Sequence, residues 1–161
     1  MLRSLVGSEM CIRDSNMKLV IPIKPKAQTR PKFSRRVGAY EDKKMKDWRK
    51  NCTYLVSSLY KGELLHRPLK VDVTFYLKAP ETLSNKPSER ARAKRKQEYI
   101  DFITESIYVA KKPDLDNLEK ALYDSISDSG KVWKDDNQIV EHTTRKIYSP
   151  DPRIEIEIKE M

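Results

Sequence analysis

Two pairs of aspartates, Asp114/Asp116 and Asp135/Asp136, flank Asp124 in the stretch KKPDLDNLEKALYDSISDSGKVWKDDNQIV. The two histidines of the chain, His66 and His142, stand alone, so there is no His/Cys spacing typical of zinc. Carboxylates gathered without imidazole or thiolate suit a hard cation such as Mg²⁺, which prefers oxygen ligands. The expected chemistry is activation of water and neutralisation of charge on a phosphodiester.

The first pair predicts a convergent geometry. Pro113 precedes it, and we expect extended chain over 114–116 with a helix from about Asn117 to Ser127. Residues two apart on extended chain share a face, so both carboxylates would converge on one point. Lys120 lies one helical turn past Asp116, and helical side chains lean toward the N-terminus, so its ammonium group would reach the same place.

The second pair completes the cluster if the turn after the buried-type Trp133 folds back beside the helix. The residues alone leave open whether Asp135 or Asp136 is the one that does so. In either case a basic chain would hold a polyanion around an acidic, metal-binding centre.

The same residues also have a purely structural interpretation. Asp116 with Glu119 resembles a capping box, and Asp114 would cap the helix instead if it began earlier. Asp124 and Lys120 are spaced as an ordinary helical ion pair, and KDDNQ is a common turn composition.

Charge indicates the kind of partner. The chain carries 33 Lys and Arg against 24 Asp and Glu, a net charge of +9, which favours a polyanion such as nucleic acid. The positive charge is concentrated in a loop around Phe33 and in a charged segment at 86–96. The loop contributes Lys24, Lys26, Arg30, Lys32, Arg35 and Arg36.

The elements that must position these groups follow from periodicity. KLVIPI (18–23) predicts a short strand, and Pro22 indicates an edge position or a strand end because proline cannot donate to a ladder. Apolar residues at three- and four-residue steps over 41–60 predict a helix, and LKVDVTFYL (69–77) alternates as a strand. NQIVEHTTRKIY and RIEIEIK predict two more strands, joined by SPDP.

The polar segment 80–106 is interpreted as an inserted, mobile, basic helical arm, since it is too short and too polar to hold a core. The predicted order β-α-β-(helical arm)-α-β-β indicates a single α+β domain over 17–161, with a mixed sheet and helices packed on one face.

The first residues do not match this pattern. MLRSLVGSEMCIRDS lacks periodicity and a continuous apolar run, and we interpret residues 1–16 as a non-native, disordered segment left by cloning or sequence assembly. Without Cys11, Cys52 is the sole cysteine, which favours a reducing compartment.

No apolar run approaches the ~20 residues of a membrane span.

Four stretches resemble the RusA-type Holliday junction resolvases, in the right order and across nearly all of 17–160. They are RPKFSRRVGAY, KPDLDNLEKALYDSI, VWKDDNQIVEHTTRKIY and RIEIEI. The resemblance implies that Asp114, Asp116 and Asp136 are the catalytic, metal-binding carboxylates. It implies that Lys120 is an essential lysine and that Asp135 is an auxiliary metal-site residue.

The resemblance also implies a substrate and an assembly. RusA-type enzymes are homodimers that use Mg²⁺ to nick opposing strands of a four-way DNA junction and leave 5′-phosphate ends. For this chain the expected ion is therefore Mg²⁺, and the sequence leaves open whether Mn²⁺ substitutes. A two-fold substrate suits an isologous dimer. The expected DNA-binding residues are Arg30, Lys32, Arg35, Arg36, Lys111, Lys112 and Lys146.

These expectations place the protein in DNA recombination and repair, in the cytoplasm of a bacterial or phage-infected cell. Three alternatives remain open: a nuclease selective for flaps or single-stranded DNA, a non-catalytic junction-binding protein, and an RNA-binding protein. The last is disfavoured because three Phe and two Trp offer a thin stacking platform. The long 80–106 arm and the SISDSGKV loop depart from shorter family members.

Overall fold

A mixed four-stranded sheet forms the centre of the protein, whose computed structural model describes residues 16–161. Its strands are β1 (Met17–Ile21), β4 (Leu69–Lys78), β5 (Ile139–Ser149) and β6 (Arg153–Glu160). They lie in the order β1-β6-β4-β5, with β4 parallel to β5 and antiparallel to β6. The predicted mixed sheet is confirmed, and β1 occupies an edge as expected.

The remaining elements are a short hairpin, four helices and one 3-10 turn within residues 16–161. The hairpin joins β2 (Lys32–Ser34) to β3 (Gly38–Tyr40) and is separate from the main sheet. The helices are α1 (Lys43–Leu59), α2 (Glu81–Ser84), α3 (Ala93–Ile103) and α4 (Leu115–Ser129), and the 3-10 turn is Asp136–Gln138.

The core lies between one face of the sheet and the two long helices, α1 and α4. Alternate residues of the central strand β4 point into it, from Leu69 to Phe75, and are fully buried. Each helix contributes one apolar stripe at three- and four-residue steps. The stripe of α1 is Met45, Trp48, Cys52 and Val56, and that of α4 includes Leu118, Ala121, Leu122 and Ile126.

The opposite face of the sheet carries paired charges. Arg153 Nη1 lies 2.7 Å from Glu105 Oε1, and its Nε lies 2.9 Å from Glu155 Oε1. Lys18 Nζ is 2.9 Å from the other oxygen of Glu155, and the Arg153 guanidinium stacks 3.7 Å over the Tyr76 ring. We call Lys18, Glu105, Arg153 and Glu155 the charged ladder.

The inserted arm contains α2 and α3 and ends against the main sheet. Phe102 is buried, and the backbone after α3 bonds to the outer edge of β5, with Val109 N donating to Lys146 O at 3.0 Å. Two of the arm's own cations hold it together: Arg95 donates to Asn85 O at 2.7 Å and Lys96 to Glu89 O at 2.6 Å. The mobility expected of the arm stays a prediction.

Two local predictions were wrong. The helix predicted from about Asn117 begins at Leu115 and continues to Ser129, so Asp114 is extended but Leu115 and Asp116 are helical. Gly130 ends it with φ of +60°, a left-handed conformation that glycine adopts without strain. The segment 24–38, which was predicted to be a loop, contains strand β2 and, at Gly38, the first residue of β3. The non-native segment expected at 1–16 lies outside the described residues apart from Asn16.

Candidate active site

The first aspartate pair lies at the N-terminus of α4. Asp114 occupies the N-cap position, where its carbonyl accepts from Leu118 N at 3.2 Å, but its carboxylate makes no capping hydrogen bond. Asp116 lies in the first helical turn. Both side chains are exposed, and neither forms an ion pair with another residue in 16–161. The capping interpretation of these two residues therefore does not account for their carboxylates.

The second pair is split by its turn into two different environments. Asp135 Oδ1 accepts from Asn137 N at 2.8 Å, and Gln138 Oε1 accepts from Lys134 N at 3.0 Å. Together Asp135 and Gln138 form a capping box around the 3-10 turn. Gln138 also donates to Leu65 O at 2.9 Å, which attaches the turn to the body of the protein. Asp135 therefore has a structural task.

Asp136 faces α4 instead. It keeps contact with solvent, yet desolvation, followed by the carboxylates of Asp135 and Asp124, raises the pKa of Asp136 above its ordinary value, and Lys120 opposes this rise. Lys120 Nζ lies 3.6 Å from Asp124 Oδ2. The predicted helical ion pair between Lys120 and Asp124 is thus present. The Lys120 side chain points toward Asp124, one helical turn further along α4, and its charge also acts on Asp136.

Arg49 of α1 connects this acidic group to the segment before the hairpin. Its Nη2 lies 3.7 Å from Asp124 Oδ2 and donates at 2.8 Å to both Glu41 Oε1 and Gln28 Oε1. The backbone N of Gln28 donates to Asn117 O at 2.9 Å, in the first turn of α4. These bonds fix the hairpin relative to the start of α4.

A histidine lies on the other side of Asp136. His142 Nδ1 is 3.5 Å from Glu119 Oε1 and 3.4 Å from the Tyr123 hydroxyl. Burial, and then the charges of Glu119 and Asp136, raise the pKa of Tyr123. Tyr123, Asp136 and His142 line an open recess of about 320 Å³ beside β5.

The residues fit a hard cation in chemistry but are not gathered around one point. Their donors are all carboxylate oxygens. Desolvation, and then the carboxylates of Asp135 and Asp124, raise the pKa of Asp136, and a bound cation would reduce the repulsion among these carboxylates. However, within residues 16–161 no three His, Cys, Asp or Glu side chains are placed closely enough to hold a metal ion. Asp136 interacts with Asp124, Asp135 and Lys120, whereas the carboxylates of Asp114 and Asp116 form no hydrogen bond or ion pair within residues 16–161.

The predicted DNA-binding residues have different surroundings. Five of them are exposed and form no ion pair within the described chain; they are Arg30, Arg35, Arg36, Lys111 and Lys112. Lys32 Nζ is 3.0 Å from Asp42 Oδ1. Lys146 is half-buried and donates to the carbonyls of Lys111 and Pro113, both at 2.6 Å. Lys146 therefore holds the loop that leads into Asp114.

A cleft of about 500 Å³ lies beside this loop. Its lining is mainly apolar, from Leu77, Ala79, Val109, Tyr148 and four prolines, and its rim carries Lys24, Lys78, Lys111 and Lys112. Lys111 and Lys112 are among the residues that the sequence predicts to bind DNA, whereas Lys78, on the outward face of a strand, is not.

Sequence reasoning also missed the environment of Asp136. Arg49, Glu119 and His142 all lie close to its neighbours, but they come from two helices and a strand. The spacing of Asp116, Lys120 and Asp124 was the available signal, because residues four apart share one face of a helix. No local signal exists for Arg49, which reaches Asp124 from a point 75 residues earlier in the chain.

Two comparisons with known proteins bear on this site. Residues 22–159 match the family described as "RusA: Endodeoxyribonuclease RusA". A Bacillus subtilis (strain 168) protein described as "Uncharacterized protein YqaN" is 29% identical over 148 residues, which cover 90% of this chain and 96% of that protein. No helix in residues 16–161 is long and apolar enough to cross a membrane.

The family match spans both aspartate pairs, Lys120 and the hairpin, so every predicted site residue lies inside it. Endodeoxyribonuclease activity and action on DNA junctions are the properties that this match implies. The chain belongs to the RusA endodeoxyribonuclease family.

Proposed function

We propose that this protein is a divalent-metal-dependent, structure-selective endodeoxyribonuclease that resolves four-way DNA junctions by paired, symmetric nicks. The observation that carries the proposal is that only one of the four paired aspartates, Asp135, uses its carboxylate to cap a turn. The carboxylates of Asp114 and Asp116 form no hydrogen bond or ion pair within residues 16–161, and the turn that engages Asp135 directs Asp136 toward Lys120.

Asp114, Asp116 and Asp136 are the residues that would hold the metal, with Asp135 beside them. Mg²⁺ is the expected ion and Mn²⁺ the alternative. When bound, such an ion lowers the pKa of a water molecule and neutralises charge on the scissile phosphate.

The chain's own residues orient and stabilise the reacting group. Lys120 is largely exposed and lies beside Asp136, where its ammonium group would stabilise the negative charge that develops on the phosphate oxygens. In the hydrolysis, a water oxygen bonds to phosphorus while the bond to the 3′ oxygen breaks. The products are a 5′-phosphate and a 3′-hydroxyl, to which a proton is returned.

Basic residues on both sides of α4 would bind the DNA backbone. The hairpin supplies Arg30, Lys32, Arg35 and Arg36, and the loop before Asp114 supplies Lys111 and Lys112. Lys146 would act on DNA through the loop it holds. The arm cations Lys86, Arg90, Arg92 and Lys94 are exposed and would provide further phosphate contacts. Phosphate contacts of this kind set position and affinity without reading sequence.

Paired nicks require two equivalent sites, so we propose an isologous homodimer. Sedimentation of the full chain with and without a four-way junction is the direct measurement of that assembly. Action on recombining DNA implies a cytoplasmic enzyme of a bacterial or phage-infected cell.

The test of the proposed activity is a gel assay of the full chain on a labelled four-way junction, with Mg²⁺ and with EDTA. We expect symmetric nicks with Mg²⁺ alone, and little cleavage of a linear duplex with the same arm sequence at the same salt concentration. Equal cutting of flap or single-stranded DNA would instead assign another structural preference.

A non-catalytic DNA-binding protein is the second candidate, favoured by the ion pairs that Asp124 already makes with Lys120 and Arg49. That protein would shift the junction equally with Mg²⁺ and with EDTA and would produce no cut. Its affinity would still fall steeply with salt, as counterions are released from DNA.

A further inference from the structure

Phe33 and Val37 are the most exposed large hydrophobic side chains in residues 16–161, at 78% and 74% of full exposure. Both belong to the hairpin of β2 and β3. A single exposed apolar side chain is ordinary on a soluble protein. Two on one nine-residue hairpin, at its strand and its turn, form an apolar tip that has no partner in the described chain.

The tip is surrounded by cations. Arg30, Arg35 and Arg36 are exposed and form no ion pair within residues 16–161. A second copy of this chain would bring the same cations to the contact, so a polyanion is the complementary partner. Phe33 pairs in register with Ala39, whose small side chain leaves the neighbouring ring face uncovered.

The hairpin is attached firmly at its base. Lys32 is 3.0 Å from Asp42, and Gln28 is bonded to Asn117, Glu41 and Arg49. Five residues of chain reach at most about 18 Å, so Phe33 cannot lie farther than that from Gln28. At 3.4 Å per nucleotide step along one strand, this limit corresponds to at most about five nucleotides from Gln28, which is bonded to the first turn of α4.

We propose that Phe33 stacks on an exposed base face at the branch point of the DNA and thereby gives the protein its preference for branched DNA. The inference rests on the proposed junction substrate. In a continuous duplex each base is covered on both faces, whereas base pairs at an open branch point, where the arms are not stacked on one another, have an uncovered face. The arginines bind the phosphates, and the ring senses where stacking is interrupted.

The test measures affinity without cleavage, by fluorescence anisotropy of the full chain in EDTA, on a four-way junction and on a linear duplex. Phe33→Ala should weaken junction binding about 10- to 100-fold, the range of one lost base–aromatic stack, and leave duplex binding unchanged. Phe33→Trp should retain junction binding. Tyr54→Ala is the matched control, since Tyr54 is 73% exposed on α1.

Two further readouts separate stacking from charge. A 2-aminopurine base at the branch point should be quenched by the wild type and by Phe33→Trp but not by Phe33→Ala. Phe33→Ala should keep the salt dependence of binding, whereas Arg35→Ala should reduce it by about one ion. Because Phe33 is exposed, its removal leaves the core intact, which a thermal melt checks.

Equal weakening of junction and duplex by Phe33→Ala, or no weakening at all, would overturn the inference. So would a wild type without junction preference. The proposed activity fails separately: a wild type that binds junctions through Phe33 but never cuts them with Mg²⁺ keeps the stacking role and loses the nuclease. A wild type that cuts junctions, with Phe33→Ala equally active and equally tight, keeps the nuclease and loses the stacking role.

Discussion

Carboxylates occupy two regions of this protein in opposite electrostatic states. On the open face of the sheet, hydrogen bonding to Arg153 holds the pKa of Glu105 below its ordinary value. For Glu155, desolvation acts to raise the pKa, but hydrogen bonds and charge from Lys18 and Arg153 outweigh it and the pKa is lowered. Beside α4, desolvation and neighbouring carboxylates raise the pKa of Asp136. The first region is neutralised within the chain, and the second is left with excess negative charge.

This difference separates structural charge from functional charge. A carboxylate matched by a guanidinium at 2.7 Å contributes to folding and offers little to a ligand. Crowded carboxylates cost folding free energy unless an external cation binds them, and they are typical of functional sites. We therefore expect carboxylates of the first region to stabilise the fold and carboxylates of the second region to act in catalysis. Substitutions of three residues test this difference.

The largest expected effect is on activity, at the N-terminus of α4. Asp116→Asn should reduce junction cleavage at least about 1000-fold, because an amide is a poor ligand for a hard cation and loses the negative charge. Affinity for the junction in EDTA should be unchanged or tighter, since one repulsive charge is removed. Single-turnover cleavage and anisotropy measure the two quantities.

Asp128→Asn is the control for that substitution. Asp128 is exposed near the C-terminal end of the same helix, so the change in net charge is equal and the distance from the site is large. It should cut like the wild type. Wild-type cleavage by Asp116→Asn would remove this residue from the catalytic set and favour a structural interpretation of the acidic pairs.

A smaller effect is expected on stability, in the charged ladder. The pKa of Glu105 is lowered in the folded protein from the ordinary value of 4.5. Its contribution is therefore fully present above about pH 4.5 and is lost as pH falls through the lower, folded-state pKa. Glu105→Gln should lower the free energy of unfolding by about 2 kcal/mol at neutral pH and flatten the acid limb of the stability curve.

Urea unfolding between pH 3 and pH 7 measures this effect, with Glu157→Gln as the control. Glu157 lies on the same face, but its side chain is 50% exposed and its oxygen is 3.9 Å from Lys18, so little change is expected. A Glu105→Gln protein with the wild-type acid limb would show that the ladder contributes nothing to folding. Junction cleavage should be unaffected by either variant.

The sequence carries much of the fold because the main elements are locally encoded. Alternation from Leu69 to Leu77 and the three- and four-residue steps from Met45 to Leu59 predicted a strand and a helix to within about two residues at each end. The start of α4 was not predictable in the same way. Asp114 and Asp116 are both capping residue types, and the choice between them depends on the packing of the helix in the core.

The site depends on contacts between distant parts of the chain, which local patterns do not encode. Asp135 and Asp136 are chemically identical neighbours, and the sequence alone left open which one turns toward α4. The choice follows from the capping box, which is itself attached through Gln138 to Leu65, 73 residues away. The resemblance to RusA-type enzymes favoured Asp136, and the turn gives a physical reason for that choice.

The smallest effect is expected from substitutions of Asp135. This residue lies in the acidic site, but its side chain caps the 3-10 turn and so has a structural role. Removing its cap in Asp135→Ala should cost about 1 kcal/mol of stability and reduce cleavage modestly, because the turn that directs Asp136 is loosened. Asn caps nearly as well as Asp, so Asp135→Asn should retain both stability and cleavage. If Asp135 were instead a metal ligand, Asn would lose cleavage as completely as Ala while keeping stability. Urea unfolding and cleavage rates of the two variants, measured in parallel, therefore show whether Asp135 is a structural capping residue or a metal ligand.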